Sequence, residues 1–418
     1  MQTLMPDPFS PGLARVARGD LCSGCGGCAA LAPDRIAMAP DAAGFLRPVQ
    51  SAALDPAQEA VLTQICPGLG QTVVAGGRPD HPLWGPFLAM SKGHAADPAL
   101  RHAGASGGGL SAMALWLLDS GTVDAVLVTE ADPDNPLGNR TTLVRDRAGV
   151  LAAAGSRYAP ASPLAGLRAR LIPGARHALV GKPCDVAAFR ALAAQDPALA
   201  QAVPVVLSFF CAGTPSLTGA RRVVERMGAD PAAVRAFRYR GMGWPGLASA
   251  TLADGTVRQM SYAESWGKVL SAHVQHRCRI CADGTGTAAD LVFADAWEAD
   301  ADGYPLFEEA EGESLIVART ALGADLLAGA RAAGRLVASP FDPAGLAAIQ
   351  PGQRSRRQGL LGRLAALWLL GRPVPRYRGL GLRAAARQGG LRVVWRNFLG
   401  MARRALRRRR PAAPRPQD

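Results

Sequence analysis

The chain has 418 residues, 49% of them hydrophobic and 19% charged, which suffices for two or three domains with buried cores. It has no run of 18 uninterrupted apolar residues, which argues against a membrane-spanning helix, and residues 1–10 lack the basic-then-apolar pattern of a secretory leader. The expectation is a cytoplasmic protein whose cysteines stay reduced or bind metal. Its net charge of +14 is unevenly placed. Residues 351–418 hold eighteen arginines and one acid, Asp418, leaving 29 of the 47 basic and 32 of the 33 acidic residues, a charge of −3, to the rest.

Residues 1–82 read as a compact cysteine-bearing module with little periodicity. Cys22, Cys25 and Cys28 form C-x2-C-x2-C, and Cys66 is followed by Pro67. A cubane needs four soft thiolates around one centre, and a loop with two-residue gaps can wrap three of its corners. Gly24, Gly26 and Gly27 let the backbone curl there and offer amide donors to the sulfurs. Cys66-Pro67 repeats the ending of ferredoxin loops, but 37 residues separate it from Cys28 where a ferredoxin run has three. A structural zinc site also accepts four cysteines, although such sites generally use two separated C-x2-C pairs.

From 83 to 350 apolar runs alternate with amphipathic segments, the pattern of α/β units. Gly104-Ala-Ser-Gly-Gly-Gly-Leu110 leads into a helical stretch over 110–119. Ser106, Gly107, Gly108 and Gly109 could bring backbone N–H groups to a pyrophosphate, or form an ordinary helix-leading turn. Strands are expected at 123–129, 177–180, 203–210, 291–294 and 314–318, helices at 185–192 and 216–227, and a hairpin over 248–262 turning at Asp254-Gly255. Cys184 and Cys211 each follow a strand and open a helix. If those strands are parallel in one sheet, both emerge at its carboxyl edge, beside helix N-termini that suit an anionic cluster. The pair Cys278/Cys281 could close that site from a loop; alternatively Cys184 and Cys211 are small buried apolar residues and the pair acts alone. Asp295 and Trp297, just after a strand, could reach a ligand, and Trp244 could serve as a lid or stacking platform. Each is more often ordinary turn or core structure. His102, near the glycine loop, could donate a proton or be a plain surface residue. The six histidines have no metal-ligand spacing, and neither a serine-hydrolase elbow nor a Walker loop occurs.

From 351 the sequence is a basic tail, helical or disordered, with apolar patches at 364–370 and 391–399 and a terminal run, 407–414, expected to be disordered. Arginine runs attract phosphates of any origin, and a solvated tail is the plainer alternative. The interleaved Trp368, Leu369, Leu370, Trp395, Phe398 and Leu399 favour peripheral contact with a membrane surface, at the inner face of the membrane, over specific nucleic-acid binding.

In this order the motifs resemble those of the coenzyme F420 hydrogenase/dehydrogenase beta subunit family. The landmarks are Cys22-Ser-Gly-Cys-Gly-Gly-Cys28, Ser106-Gly-Gly-Gly109, Gly155-Ser-Arg-Tyr158, Gly181-Lys-Pro-Cys184, Phe210-Cys-Ala-Gly-Thr-Pro-Ser216 and Arg240-Gly-Met-Gly-Trp-Pro-Gly246. Then come Cys278-Arg-Ile-Cys-Ala-Asp-Gly284, Ala289-Asp-Leu-Val-Phe-Ala-Asp-Ala-Trp297 and Glu313-Ser-Leu-Ile-Val-Ala-Arg-Thr320. Lys182 and Ala294 depart from the Thr and Gly expected there, in the surroundings of flavin or cluster. The resemblance implies an iron–sulfur flavoprotein with two 4Fe-4S clusters and FAD. It implies a ferredoxin-like N-terminal region (1–82), a mixed-sheet α/β flavin-binding and catalytic region holding the second cluster (83–350), and the tail (351–418) outside the shared part. Electrons would pass from a ferredoxin-like donor or redox partner subunit through the clusters to FAD, and on to a conjugated acceptor, a deazaflavin coenzyme or a tetrapyrrole-like molecule. The rival readings are a non-catalytic electron-transfer subunit and a zinc-stabilised binding module.

Overall fold

The computed structural model describes residues 10–297 and 309–407. An eight-stranded mixed sheet forms its centre: β1 (Ala89–Ala95), β2 (Ala125–Ala131), β3 (Asn139–Val144), β4 (His177–Gly181), β5 (Val205–Phe209), β6 (Leu291–Asp295), β7 (Ser314–Ala318) and β8 (Leu336–Pro340). Their spatial order is β8-β1-β7-β6-β5-β4-β2-β3. The run β6-β5-β4-β2 is parallel and the remaining pairings are antiparallel.

Parallel strands are buried on both faces, so they are continuous apolar runs rather than alternating ones. Leu127, Leu179, Val206 and Val292 point to one core, against Val186, Phe189 and Leu192 of a helix at Pro183–Ala193. Val126, Ala178, Leu207 and Leu291 point to the other, against Met113 and Leu117 of α1 (Gly109–Asp119) and Leu326 and Leu327 of a helix at Ala321–Ala332. The first of these helices, Pro183–Ala193, is α2, and α3 spans Leu217–Arg226. A smaller three-stranded sheet, Val234–Arg238, Ala248–Leu252 and Val257–Met260, contains the expected hairpin, with Gly255 at φ 82° in its turn.

The expected strand set omitted β1, β3 and β8. β1 reads Ala-Met-Ser-Lys-Gly-His-Ala, without a β-branched residue, and exists because β7 and β8 pair with it on either side. Its Gly93 is required: a Cβ there would lie 2.0 Å from the Val337 carbonyl oxygen.

The N-terminal part holds helices Pro11–Gly19, Gly27–Leu31 and Pro56–Ile65 around the antiparallel pair Ile36–Pro40 and Leu46–Gln50. The basic tail is helical over most of its described length, as α4 (Pro351–Leu369) and α5 (Leu382–Arg407). It is also built into the body. Arg376–Arg378 pairs in parallel with Gly70–Thr72, and Leu360, Leu367 and Met401 share a core with Val16, Leu21 and Ile280. Residues 408–414 of the terminal run lie outside the described residues. No helix among the described residues is long and apolar enough to cross a membrane.

Candidate functional site

A cavity of about 310 Å³ opens at the carboxyl edge of the parallel strands, lined by Thr129 and Asp295 near the ends of β2 and β6, by Lys182 and Phe210 just past β4 and β5, and by the start of α1. This is where open α/β sheets place ligands. Gly108, at φ 69°, precedes α1 without any side-chain cap, so the N–H groups of its first turn have no partner within the helix. Gly109 N–H donates to Ser314 Oγ at 3.3 Å. The Ser106 hydroxyl donates to the Ala294 carbonyl at 2.9 Å, pinning the loop to β6 rather than capping the helix. The glycines also allow close packing: a Cβ on Gly107 would lie 2.8 Å from the Gly312 oxygen, and one on Gly108 2.4 Å from the Leu100 oxygen.

The opposite wall is aromatic and carries one charge pair. Arg240 is 2% exposed, and its guanidinium reaches Asp295 through both terminal nitrogens, at 2.8 and 2.5 Å. It lies 4.9 Å from the centre of Tyr262 and 4.8 Å from that of Trp297. Burial works against its charge, but the Asp295 carboxylate outweighs that and holds the guanidinium firmly protonated. Trp244 Nε1 donates to Asp295 Oδ1 at 3.0 Å, and its ring stacks on Trp297 at 4.8 Å. Trp244 therefore backs Trp297, which faces the cavity, while Asp295 is engaged in an ion pair. His102 is exposed on the short helix before the glycine loop and its side chain does not line the cavity.

Lys182 at the cavity floor donates to Asp185 Oδ2 at 2.7 Å, and that carboxylate is fully buried. Burial pushes the Asp185 carboxyl up, opposed by Lys182. The Lys182 ammonium loses solvation too, but Asp185, then Cys184, raise it above the usual lysine range.

Cys22, Cys25, Cys28 and Cys66 line one small cavity of about 20 Å³ with Gly26, Gly27 and Met38. Gly24 and Gly27 amides donate to Cys22 and Cys25 sulfurs at 3.4 and 3.5 Å. Burial pushes the Cys25 thiol up to about 12, with Cys66 and Asp185 adding to the effect. Burial, then the Cys22 charge, take Cys66 to about 11. The second set is Cys184, Cys211, Cys278 and Cys281. Thr214 N–H and Gln275 Nε2 donate to Cys278 Sγ at 3.4 and 3.5 Å, and Cys211 N–H donates to the Gly284 carbonyl at 2.8 Å. Burial lifts the Cys211 thiol to about 12, with Cys278 and Cys281 adding and Arg356 opposing. Cys184 is raised well above 9.0 by burial, then by Asp185, with Cys211 and Cys25 both close enough to contribute. The charge of Cys25 in the first set thus acts weakly on Cys184 in the second, and the second opens on the main cavity through Cys211. Among the described residues, no three His, Cys, Asp or Glu side chains converge as ligands of one metal ion.

Several residues here escaped sequence reasoning. Arg240 and Tyr158 stood inside recognised motifs without an assigned role, and Tyr262 and Trp266, also cavity residues, carried no local signal. Arg277, only 2% exposed, lies over the Tyr377 ring, and its charge interacts with Tyr377 first and then with cysteines of both sets, Cys281, Cys184, Cys278 and Cys66. Its Nη2 donates to the Pro67 carbonyl at 2.7 Å, while Nε and Nη1 have no hydrogen-bond partner. α4 covers the second set, with Gln353 Nε2 and Arg356 Nη1 each 3.0 Å from the Cys211 carbonyl oxygen.

Two sequence models of the coenzyme F420 hydrogenase/dehydrogenase beta subunit match the chain, the N-terminal one over residues 90–168 and the C-terminal one over residues 174–344. A chain of the F420-reducing NiFe hydrogenase complex from Methanosarcina barkeri has a similar fold, with a TM-score of 0.52 at 18% identity, covering 69% of this chain and 96% of that one. Comparison with curated proteins returns no match. The family matches span well over half of the sequence and contain the whole cavity edge of the sheet: the chain belongs to the coenzyme F420 hydrogenase/dehydrogenase beta subunit family, whose members are redox subunits.

Proposed function

We propose that the protein is an iron–sulfur flavoprotein oxidoreductase that takes electrons from a ferredoxin-type donor or a redox partner subunit and delivers them to a conjugated acceptor, a deazaflavin coenzyme or a tetrapyrrole-like molecule. The observation that carries this reading is the gathering of Cys22, Cys25, Cys28 and Cys66 around one small cavity, with Cys211 of the second set on the rim of a ligand-sized one. Cys22, Cys25, Cys28 and Cys66 would hold one 4Fe-4S cluster, and Cys184, Cys211, Cys278 and Cys281 the other.

The donor set fits such a group. All eight ligands are thiols, backbone amides donate to Cys22, Cys25 and Cys278 sulfurs, and the buried Arg277 has two nitrogens, Nε and Nη1, without a hydrogen-bond partner. The cavity fits FAD through the start of α1, which has no side-chain cap, the Lys182 ammonium for phosphate charge, and an aromatic wall of Tyr158, Tyr262 and Trp297 for a flat ring. Clusters supply one-electron carriage, and a flavin couples it to two-electron chemistry on the acceptor. The chain's own part is to exclude water behind Trp244 and Trp297, fix Arg240 by Asp295, and hold Lys182 protonated. The solved chain of similar fold is part of a hydrogenase complex, which supports a redox partner here.

The test is a visible spectrum with iron, acid-labile sulfide and flavin analysis on anaerobically purified protein. About eight irons per chain, matching sulfide, a broad shoulder near ~400 nm and flavin released on denaturation are expected for two cysteine-ligated cubanes. A colourless protein containing zinc would overturn the proposal.

A further inference from the structure

We propose that the last helical segment of the chain docks the protein on an anionic lipid bilayer. α5 is broken at Gly390, whose φ of 76° and ψ of 163° are not helical, so 391–407 forms a helix of its own. One side of it is buried: Met401 and Ala405, with Phe398 and Ala402 partly buried, pack into the core shared with α4. Close crossing is possible because Gly362 has no side chain; a Cβ there would lie 2.2 Å from the Val394 carbonyl oxygen.

A second strip beside the buried one is apolar yet exposed. Leu391, Trp395, Leu399 and Leu406 are 88%, 60%, 36% and 49% exposed. Their spacing of four, four and seven residues keeps them on one line of the helix. Arg392, Arg396, Arg403 and Arg407, all exposed, form a third strip about 100° further round. A helix that only covers a core needs a buried strip and a polar one. Here an additional row of large apolar side chains is bordered by cations, and residues 351–407 contain no acid to neutralise them. Trp395 is held in place by stacking on Phe398, with centroids 5.2 Å apart and planes within 3°. Trp368 and Leu369, 69% and 64% exposed, add apolar surface at the end of α4.

The chemistry of the strips selects the occupant. Leucine and tryptophan gain by entering the headgroup–acyl boundary, while neighbouring arginines reach outward to lipid phosphates. A nucleic acid would satisfy the arginine row and leave the leucine row in water. The arginines needed for the fold are separate from the docking row: Arg356 and Arg363 donate to the Cys211 and Arg279 carbonyls at 3.0 and 2.9 Å, and Arg357 donates to those of Pro82 and Leu380. Docking therefore requires no rearrangement of the body.

The full chain is sedimented with phosphatidylcholine vesicles, with and without about one-third phosphatidylglycerol. Pelleting only with the anionic vesicles, weakening with salt, and a drop of about tenfold or more in both Leu391→Ser/Trp395→Ser and Arg392→Glu/Arg396→Glu are expected from a surface helix using both strips. Equal pelleting of parent and variants overturns the proposal. So does a parent that self-associates in sedimentation velocity while the serine variant is monomeric, since the strip would then face a second copy. An independent readout needs only a mild change. Vesicles with brominated acyl chains should quench a tryptophan component of the parent that Trp395→Phe removes, and absence of that component refutes insertion.

Discussion

Replacing Asp295 by asparagine keeps the shape of the side chain and removes the carboxylate paired with a fully buried guanidinium. Arg240 is 2% exposed, and its two terminal nitrogens reach the Asp295 oxygens at 2.8 and 2.5 Å. Asparagine offers one acceptor oxygen, so one of these bonds is lost and the cation is left without its counter-charge. Breaking a buried pair from one side costs about 3–5 kcal/mol. The faces of Tyr262 and Trp297, 4.9 and 4.8 Å away, hold the cation in parent and variant alike and so do not offset that cost. The expected loss is therefore about 3–5 kcal/mol. At about 2–4 °C per kcal/mol for a domain of 150–250 residues, the midpoint falls by about 6–20 °C. The assay is anaerobic thermal melting followed by circular dichroism, on parent, Asp295→Asn and the double variant Arg240→Met/Asp295→Leu. The double variant removes both charges, so it should lose less than the single one. A single variant that melts within about 1 °C of the parent would refute the reasoning, because the lone cation would then cost almost nothing.

Other consequences follow from the same geometry. In metal-free reduced protein, Cys25, Cys66 and Cys211 are held neutral with values raised from 9.0 to about 12, 11 and 12. A group raised on folding stabilises the fold fully below its unfolded value, so urea stability should be constant below about pH 8.5 and fall steadily as pH rises towards 11–12; a flat profile to pH 11 contradicts it. Gly108→Ala puts a Cβ 2.4 Å from the Leu100 oxygen at a φ of 69°, so it should cost at least about 1–2 kcal/mol and lower the flavin-to-protein ratio after purification; unchanged flavin content would mean the loop does not shape that site. If the proposed clusters are present, Arg277→Gln removes a buried cation whose charge reaches both cysteine sets and should shift their potentials to more negative values in an EPR-monitored redox titration; no shift would count against that electrostatic role. Truncation after Gln350 strips Leu360, Leu367 and Met401 from a shared core, and should give aggregated protein; a soluble, cluster-loaded truncation would show the tail to be dispensable.

The amino-acid sequence by itself determined what is written in short-range pattern. The strands β4, β5, β6 and β7 are legible because burial on both faces makes each a continuous apolar run, and the hairpin turn is legible because Asp254-Gly255 suits a positive φ. The close spacing of Cys22, Cys25 and Cys28 announces a chelating loop, and the glycine run before α1 announces a turn leading into a helix, whose lack of a side-chain cap only the structure shows. Tertiary structure decided everything that depends on which face or which distant residue a side chain meets. β1 has no strand signal of its own and is created by two neighbours. Asp295 reads as a free carboxylate until Arg240, 55 residues away, is folded against it. Cys184 joins Cys211 only because β4 and β5 are adjacent and parallel. The arginines of the tail look alike in sequence, yet Arg356, Arg357 and Arg363 turn inward to backbone carbonyls while Arg392, Arg396 and Arg403 stay in solvent. Composition counts charges, but only packing selects the helix face, and that selection separates arginines that build the fold from those free to meet a partner.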